Sequence, residues 1–289
     1  MRESGNVIFS PAKINLFLEV ISRRKDNYHN LNSLMCFCDI GDYIEVVENE
    51  NFFFETEGPF KKFLAHEKNN LIIKAIDKLQ ELTKSKFNLK VKLIKNLPVS
   101  SGLGGGSSNA ATIIKILIKK FNLKIEKKTL DKFLIKLGSD VPFCFYKKSA
   151  IIQNIGEVIK SVPEIPQYPI LIVNPLIQVS TKEIFLRVNN FTHSKTFVPR
   201  KICNEEFFFL LKNSSNDLER IAVKLYPEIQ EILKIFKNQT NCLISRMSGS
   251  GASCYGLFDD QQKLKEAEKL FNKKNKFWWV KSGKILNQI

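Results

Sequence analysis

Four of the chain's 13 glycines, Gly102, Gly104, Gly105 and Gly106, fall within five residues. They sit in the run Pro98, Val99, Ser100, Ser101, Gly102, Leu103, Gly104, Gly105, Gly106, Ser107, Ser108, Asn109. From Asn96 to Ile114 there is no charged side chain, in a protein where 26% of residues are charged. Directly downstream, Ala110, Ala111, Ile114, Leu117, Ile118 and Phe121 recur at helical spacing and mark one continuous apolar face. A glycine loop fused to a helix start turns backbone N–H groups inward without interference from Cβ. The free N–H groups of the helix add partial positive charge. With the hydroxyls of Ser107 and Ser108 beside them, these groups meet the needs of a di- or triphosphate. The alternatives are a flexible linker or a tight helix-packing turn, and the fused helix speaks against a linker. Two common phosphate motifs do not fit. A Walker A loop needs lysine right after its second glycine, but the next lysine is Lys115; a dinucleotide fingerprint needs Gly or Ala where Ser107 stands.

Two further segments set single charged residues in apolar surroundings. In residues 10–18, Lys13 and Asn15 interrupt an apolar strand and share a face, because strand side chains alternate. A lone strand lysine ordinarily points into solvent; the other reading is an ammonium held in a low-dielectric pocket and aimed at a developing anion. In residues 137–145, Asp140 stands between a helix stop at Gly138 and an apolar run. It reads either as a turn or N-cap aspartate or as a general base for phosphoryl transfer. A smaller glycine turn, residues 246–253, reads as a hairpin between two strands.

Periodicity predicts strands at 7–10, 14–20, 43–47, 52–55, 89–94, 170–173, 243–247, 254–258 and 277–280. It predicts helices from Asn69 or Asn70 to about Leu82, from the glycine loop to Phe121, at 130–137, 180–188, 205–212, 228–237 and 261–273. Strands and helices alternate without a repeat period or a low-complexity linker. The proline-rich joint around Pro163, Pro166 and Pro169 suggests two domains, 1–160 and 161–289.

Composition narrows the class. No apolar run is long enough to span a membrane and no secretory signal is visible, so a cytoplasmic chain is expected. Six scattered cysteines without a Cys-x-x-Cys pair, and three histidines in unrelated settings, read as reduced thiols and no metal site. The net charge of +16 favours anionic ligands, but the lysines are dispersed and lack an arginine-rich or base-stacking pattern.

Together these segments resemble the GHMP kinase superfamily. The specific matches are residues 11–18, 24–29 (Arg-Lys-Asp-Asn-Tyr-His), 103–112 (Leu-Gly-Gly-Gly-Ser-Ser-Asn-Ala-Ala-Thr) and 138–143; residues 155–157, 216–219 and 247–253 match more loosely. Within the superfamily the chain looks most like the members that act on a cytidyl-diphosphate methylerythritol in the non-mevalonate isoprenoid pathway. The motifs run from about residue 8 to about residue 258, so a whole enzyme is expected. The resemblance implies a two-domain α+β fold, with an N-terminal domain holding a left-handed βαβ unit, a ferredoxin-like C-terminal domain and an active site between them. It implies transfer of the ATP γ-phosphate to the C2 hydroxyl, with Asp140 taking the hydroxyl proton and Lys13 stabilising charge. The loop Pro98, Val99, Ser100, Ser101, Gly102, Leu103, Gly104, Gly105, Gly106, Ser107 and Ser108 would hold the ATP phosphates, with Asn69 and Lys95 near the adenine. Asn15 would touch substrate, Tyr28 and His29 would bind the cytosine, and Phe185 would stack on it. Mg²⁺ is expected with ATP, held mainly by phosphates and water. A monomer or weak homodimer is expected, without nucleic acid or membrane partners.

Two features depart from the family pattern. Asn27 replaces the usual Gly before the Tyr-His pair, at a turn that needs left-handed backbone angles, which Asn tolerates. Ser100 and Ser101 stand where small Gly or Ala residues are common. The competing readings are another GHMP kinase, acting on homoserine, mevalonate or a sugar, and a basic RNA-binding module.

Overall fold

The computed structural model describes residues 7–64, 70–193, 196–198 and 202–289. Residues 7–10 and 14–20, expected as two strands, belong to a single strand, β1 (Val7–Arg23). Ser10, Pro11 and Lys13 break the apolar pattern, yet Ser10 and Lys13 are buried and the backbone continues through them. The fixed φ of proline suits extended backbone, so Pro11 does not end the strand. The next strand, β2 (His29–Glu48), is far longer than the expected 43–47. Its residues Leu34, Met35, Cys36, Phe37 and Cys38 are all buried. A strand covered on both faces loses the alternation by which strands are recognised.

By compactness the chain forms two units, each assembled from three stretches, where the sequence suggested a single cut at 160. The first comprises Met1–Ala12, Gly41–Val99 and Gly104–Tyr146; the second comprises Lys13–Ile40, Ser100–Leu103 and Lys147–Ile289. In the first unit, β3 (Phe53–Glu57) runs parallel to β4 (Leu89–Ile94), and β4 runs antiparallel to the end of β2. The strands expected at 43–47 and 52–55 therefore flank β4, and the polar residues between them are a crossing. Beyond β3 lies a short 3-10 turn, Lys61–Leu64.

Among the described residues of this unit, four helices follow: α1 (Leu71–Thr83), α2 (Gly105–Lys120), α3 (Lys127–Leu137) and α4 (Val141–Tyr146). Asn70 caps α1 by accepting from the Ile72 N–H, which satisfies one of the donors that a helix start leaves open. Ile72, Ala75, Ile76 and Leu79 form the buried stripe of α1, and α1 packs on α2. Gly138 ends α3, as its position after the last apolar residue predicts. Helix α4 escaped the sequence reading because six apolar residues in a row show no helical period.

In the second unit, β5 (Ala150–Asn154) pairs antiparallel with Leu31–Met35 of β2, and β6 (Val158–Ser161) pairs with β5. On the path from β2, β10 (Trp279–Leu286) comes next, then β7 (Pro169–Asn174), β9 (Cys254–Leu257) and β8 (Ile244–Met247), each antiparallel to its neighbour. The expected hairpin around the second glycine turn is the β8–β9 pair. Helices α5 (Thr181–Leu186), α6 (Asn204–Lys212), α7 (Glu219–Leu225), α8 (Pro227–Gln239) and α9 (Gln261–Lys274) complete this unit. Leu171 and Val173 of β7 share one apolar core with Ile229, Ile232 and Phe236 of α8 and Leu264 and Phe271 of α9. Each such side chain contributes about 1.5–3 kcal/mol by leaving water. Val20 of β1 joins the same core, which fixes the strand bearing Lys13 and Asn15. Among the described residues, no helix is long and apolar enough to cross a membrane.

Candidate active site

Helix α2 begins at the glycine loop. Its N-cap is Gly104, in the left-handed region at φ 63°, with no side chain capping the helix. The first intrahelical bond runs from Ser108 N–H to Gly104 C=O at 2.9 Å. The N–H groups of Gly105, Gly106 and Ser107 therefore precede the helical ladder and are the donors that a helix start offers to an anion. Gly106 is exposed, and a Cβ built on it would meet none of the described residues within 4 Å, which leaves room for an incoming ligand. Ser107 is half-buried, whereas Ser108 is fully buried with its hydroxyl 3.0 Å from that of Ser10. Pro98 and Val99 lead into the loop, Val99 being exposed.

A carboxylate that the sequence reading passed over anchors this loop. Asp42, on β2, is fully buried. Its Oδ1 accepts the N–H groups of Asn96 and Leu97 at 2.7 and 2.8 Å, and its Oδ2 accepts Asn109 Nδ2 at 2.9 Å. The same Oδ2 lies 2.5 Å from Lys95 Nζ. Asn109 Oδ1 in turn accepts the Ser10 hydroxyl at 2.7 Å. Lys95, expected near the adenine, thus directs its ammonium to Asp42. Burial pulls that ammonium below its ordinary value, against the opposing pull of Asp42. A Cβ on Gly105 would stand 3.0 Å from Lys95 Nζ, so a larger residue there would crowd the ion pair. Asp140 is half-buried in the turn before α4, with its C=O accepting Cys144 N–H at 3.0 Å. Asn69 lies outside the described residues.

In the second unit, Lys13 is 5% exposed and its Nζ donates to Asn15 Oδ1 at 2.6 Å. It does not point into solvent as a lone strand lysine ordinarily does. Asn15 is held on two further sides: its N–H donates to Ser248 Oγ at 3.2 Å and its Nδ2 to Ser33 Oγ at 2.8 Å. Residues Ser100–Leu103 of the glycine loop lie in this unit, with Ser100 at φ 52° and Gly102 at φ 79°. Leu103 C=O accepts Lys13 N–H at 2.9 Å, and Ser101 C=O accepts Ser253 N–H at 3.1 Å. A Cβ on Gly102 would stand 2.3 Å from Ser248 C=O, and one on Gly249 would stand 3.3 Å from Lys13 Nζ. The second glycine turn is therefore more than a hairpin: it packs backbone to backbone against the loop and beside the buried ammonium. Asn216 secures it, donating from Nδ2 to Met247 C=O and Gly249 C=O, each at 2.8 Å.

At the far end of β1 the chain turns through Asn27, whose φ of 66° is the left-handed conformation that a Gly-to-Asn exchange requires. Tyr28 is 63% exposed, while His29 is buried. The His29 ring lies 5.3 Å from that of Phe185 and 6.3 Å from that of Phe191, a residue that no motif marked. Its Nε2 is buried, without a hydrogen-bond partner among the described residues. Burial, with the charge of Arg23 adding, lowers the imidazole below its ordinary value. The result is a neutral, aromatic-lined site with an exposed phenol beside it.

Comparison with known proteins places these features in context. Residues 70–148 match the family model for the GHMP kinases N terminal domain, and residues 204–276 match that for the GHMP kinases C terminal domain. A 4-diphosphocytidyl-2-C-methyl-D-erythritol kinase of Rhizobium etli is 36% identical over 278 residues, covering 96% of this chain and 93% of that one. One of Ehrlichia canis is 35% identical, covering 97% and 99%. A crystal structure of 4-(cytidine 5'-diphospho)-2C-methyl-D-erythritol kinase superposes with a TM-score of 0.78 at 26% identity, covering 97% of this chain and 99% of that one. A homoserine kinase from Cytophaga hutchinsonii superposes with a TM-score of 0.72 at 17% identity, covering 100% and 96%, a likeness of fold alone.

Proposed function

Because the chain belongs to the GHMP kinases, and within them to the 4-diphosphocytidyl-2-C-methyl-D-erythritol kinases, we propose that it phosphorylates the C2 hydroxyl of that cytidyl-diphosphate methylerythritol. The reaction belongs to the non-mevalonate route to isoprenoid precursors, and ATP, the donor of a GHMP kinase, enters as MgATP. The observation that carries this reading is the uncapped start of α2 behind a left-handed Gly104, with Gly106 facing open space.

In this mechanism the N–H groups at the start of α2 bind phosphate oxygens. Asp140 accepts the proton of the C2 hydroxyl as its oxygen attacks the γ-phosphorus. The bond from that phosphorus to the β–γ bridging oxygen breaks, and ADP leaves. Phosphoryl transfer gains chiefly from positioning and from charge stabilisation. The ammonium of Lys13, buried and oriented by Asn15, is suited to stabilise the transferring group, since a donor in a water-poor site needs little reorganisation. Among the described residues, no group of three His, Cys, Asp or Glu side chains could hold a metal ion. In this proposal Mg²⁺ enters with the nucleotide, held mainly by phosphates and water.

His29 and Phe185 provide a neutral aromatic surface for the cytosine, with Tyr28 on its exposed side. The test is ADP release measured with the cytidyl substrate, its precursor lacking the cytidylyl group, homoserine and mevalonate side by side. Turnover with the cytidyl substrate alone is expected. Preference for any of the others overturns the assignment.

A further inference from the structure

Glu19 of β1 is a buried carboxylate, 3% exposed, that the mechanism above does not use. A carboxylate taken out of water needs donors around it, and among the described residues this one has three. Asn32 Nδ2 donates at 2.8 Å, Thr196 N–H donates at 3.0 Å, and the Thr196 hydroxyl donates to the other oxygen. Asn32 is itself fixed, accepting from Gln153 Nε2 at 3.0 Å. Two of the three donors thus come from one residue of the stretch after α5, and Glu19 holds that stretch at Thr196.

A second attachment lies four residues earlier. Thr192 N–H donates to Val20 C=O at 2.9 Å, and its hydroxyl donates to Asp217 Oδ2 at 2.7 Å. The same carboxylate oxygen accepts Val20 N–H at 2.8 Å. Phe191 adjoins this attachment, with its ring 6.3 Å from that of His29 at an interplanar angle of 33°. On one side this stretch meets a cavity of about 670 Å³ lined by Phe191, Thr192, Asp217 and Arg246, among others. Phe191 packs against the apolar core of this unit, and the hydrogen bonds at Thr192 and Thr196 add to that packing.

We infer that Glu19, assisted by Asp217, is a positioning residue for the nucleobase subsite: it clamps the stretch carrying Phe191 so that this ring backs His29 and completes the aromatic wall. The inference rests on the reading that His29 meets the cytosine. When a clamp loosens, the fraction of molecules with the wall in place falls, and the apparent affinity for the ligand falls with it. Chemistry at the phosphoryl end does not draw on this wall. Substrate KM therefore rises without a change in kcat.

The test uses Glu19→Gln and Thr196→Val in the full chain, with the cytidyl substrate and ATP varied separately. Hydrogen exchange at the Thr192 and Thr196 amides is followed in parallel. A KM for the cytidyl substrate raised roughly tenfold is expected, as for loss of a hydrogen bond to a charged group. The ATP KM and kcat should stay within about twofold, and the two amides should exchange faster. Thr196→Val removes only the hydroxyl contact, so it decides the matter if Glu19→Gln fails to fold. A fall in kcat, equal effects on both substrates, or an unchanged KM despite faster exchange overturns the inference. If the wild-type chain does not turn over the cytidyl substrate, the functional reading fails instead. Exchange then judges the clamp alone, and unchanged rates in both variants reject it.

Discussion

Lys13 occupies a strand position of a kind that ordinarily faces water, yet it is buried with its ammonium on Asn15. Its isolation in an apolar segment was legible in sequence, as was that of Asp140; the burial of Lys13 was not, because it depends on the turn around Gly249. Removing a positioned general base lowers turnover by about 10²–10⁴-fold, and removing one electrostatic donor by about 10²–10³-fold. Asp140→Asn and Lys13→Ala should show losses in these ranges in steady-state assays while the circular dichroism of each variant matches wild type. Near-normal turnover in either excludes that residue from the chemistry.

His29 carries a pH consequence. Burial lowers its imidazole from the ordinary value of 6.5. Such a group binds fewer protons folded than unfolded, so its contribution to stability is present above the unfolded value and lost as the pH falls through it. Thermal melts from about pH 7.5 to about pH 5.5 should show the wild-type Tm falling more steeply than that of His29→Gln. Parallel curves contradict the assignment of a buried neutral imidazole.

Among the elements, the glycine loop and α2 were legible because glycine spacing, absence of charge and helical periodicity coincide in one segment. What anchors them was not. Asp42 lies 53 residues before Lys95, within a strand whose apolar alternation is masked, and nothing local ties it to the loop. Lys95, read from its nearness to the loop as a nucleotide contact, is the partner of that carboxylate. Removing one member of a buried ion pair leaves the other charge uncompensated and typically destabilises by about 3–5 kcal/mol. Asp42→Asn should therefore lower the urea-unfolding free energy by about that amount. A loss below about 1 kcal/mol, the scale of an exposed pair, contradicts the anchoring role. Helices α4 and α7 and strands β5 and β6 also escaped the sequence reading. Each is four to seven residues long, too short to establish a period against its neighbours.

For the whole molecule, the likeness to a homoserine kinase and to the mevalonate kinase of Methanococcus jannaschii, at 17% and 18% identity, reflects a fold that serves several acceptors. Under the proposed function, substrate choice rests on the neutral aromatic end of β1 and β2, where Tyr28 and His29 were legible as a motif and Phe191 was not. The two-unit organisation was visible only in outline. Long strands such as β1 and β2 contribute residues to both units, which a linear search for linkers does not detect. The most direct measurement of the central claim is the identity of the product, followed by ³¹P nuclear magnetic resonance with ATP and the cytidyl substrate. The account predicts a new phosphomonoester on the C2 oxygen with the substrate's diphosphate intact and one ADP formed per ester. Release of inorganic phosphate without that ester, or cleavage of the cytidyl diphosphate, would contradict it.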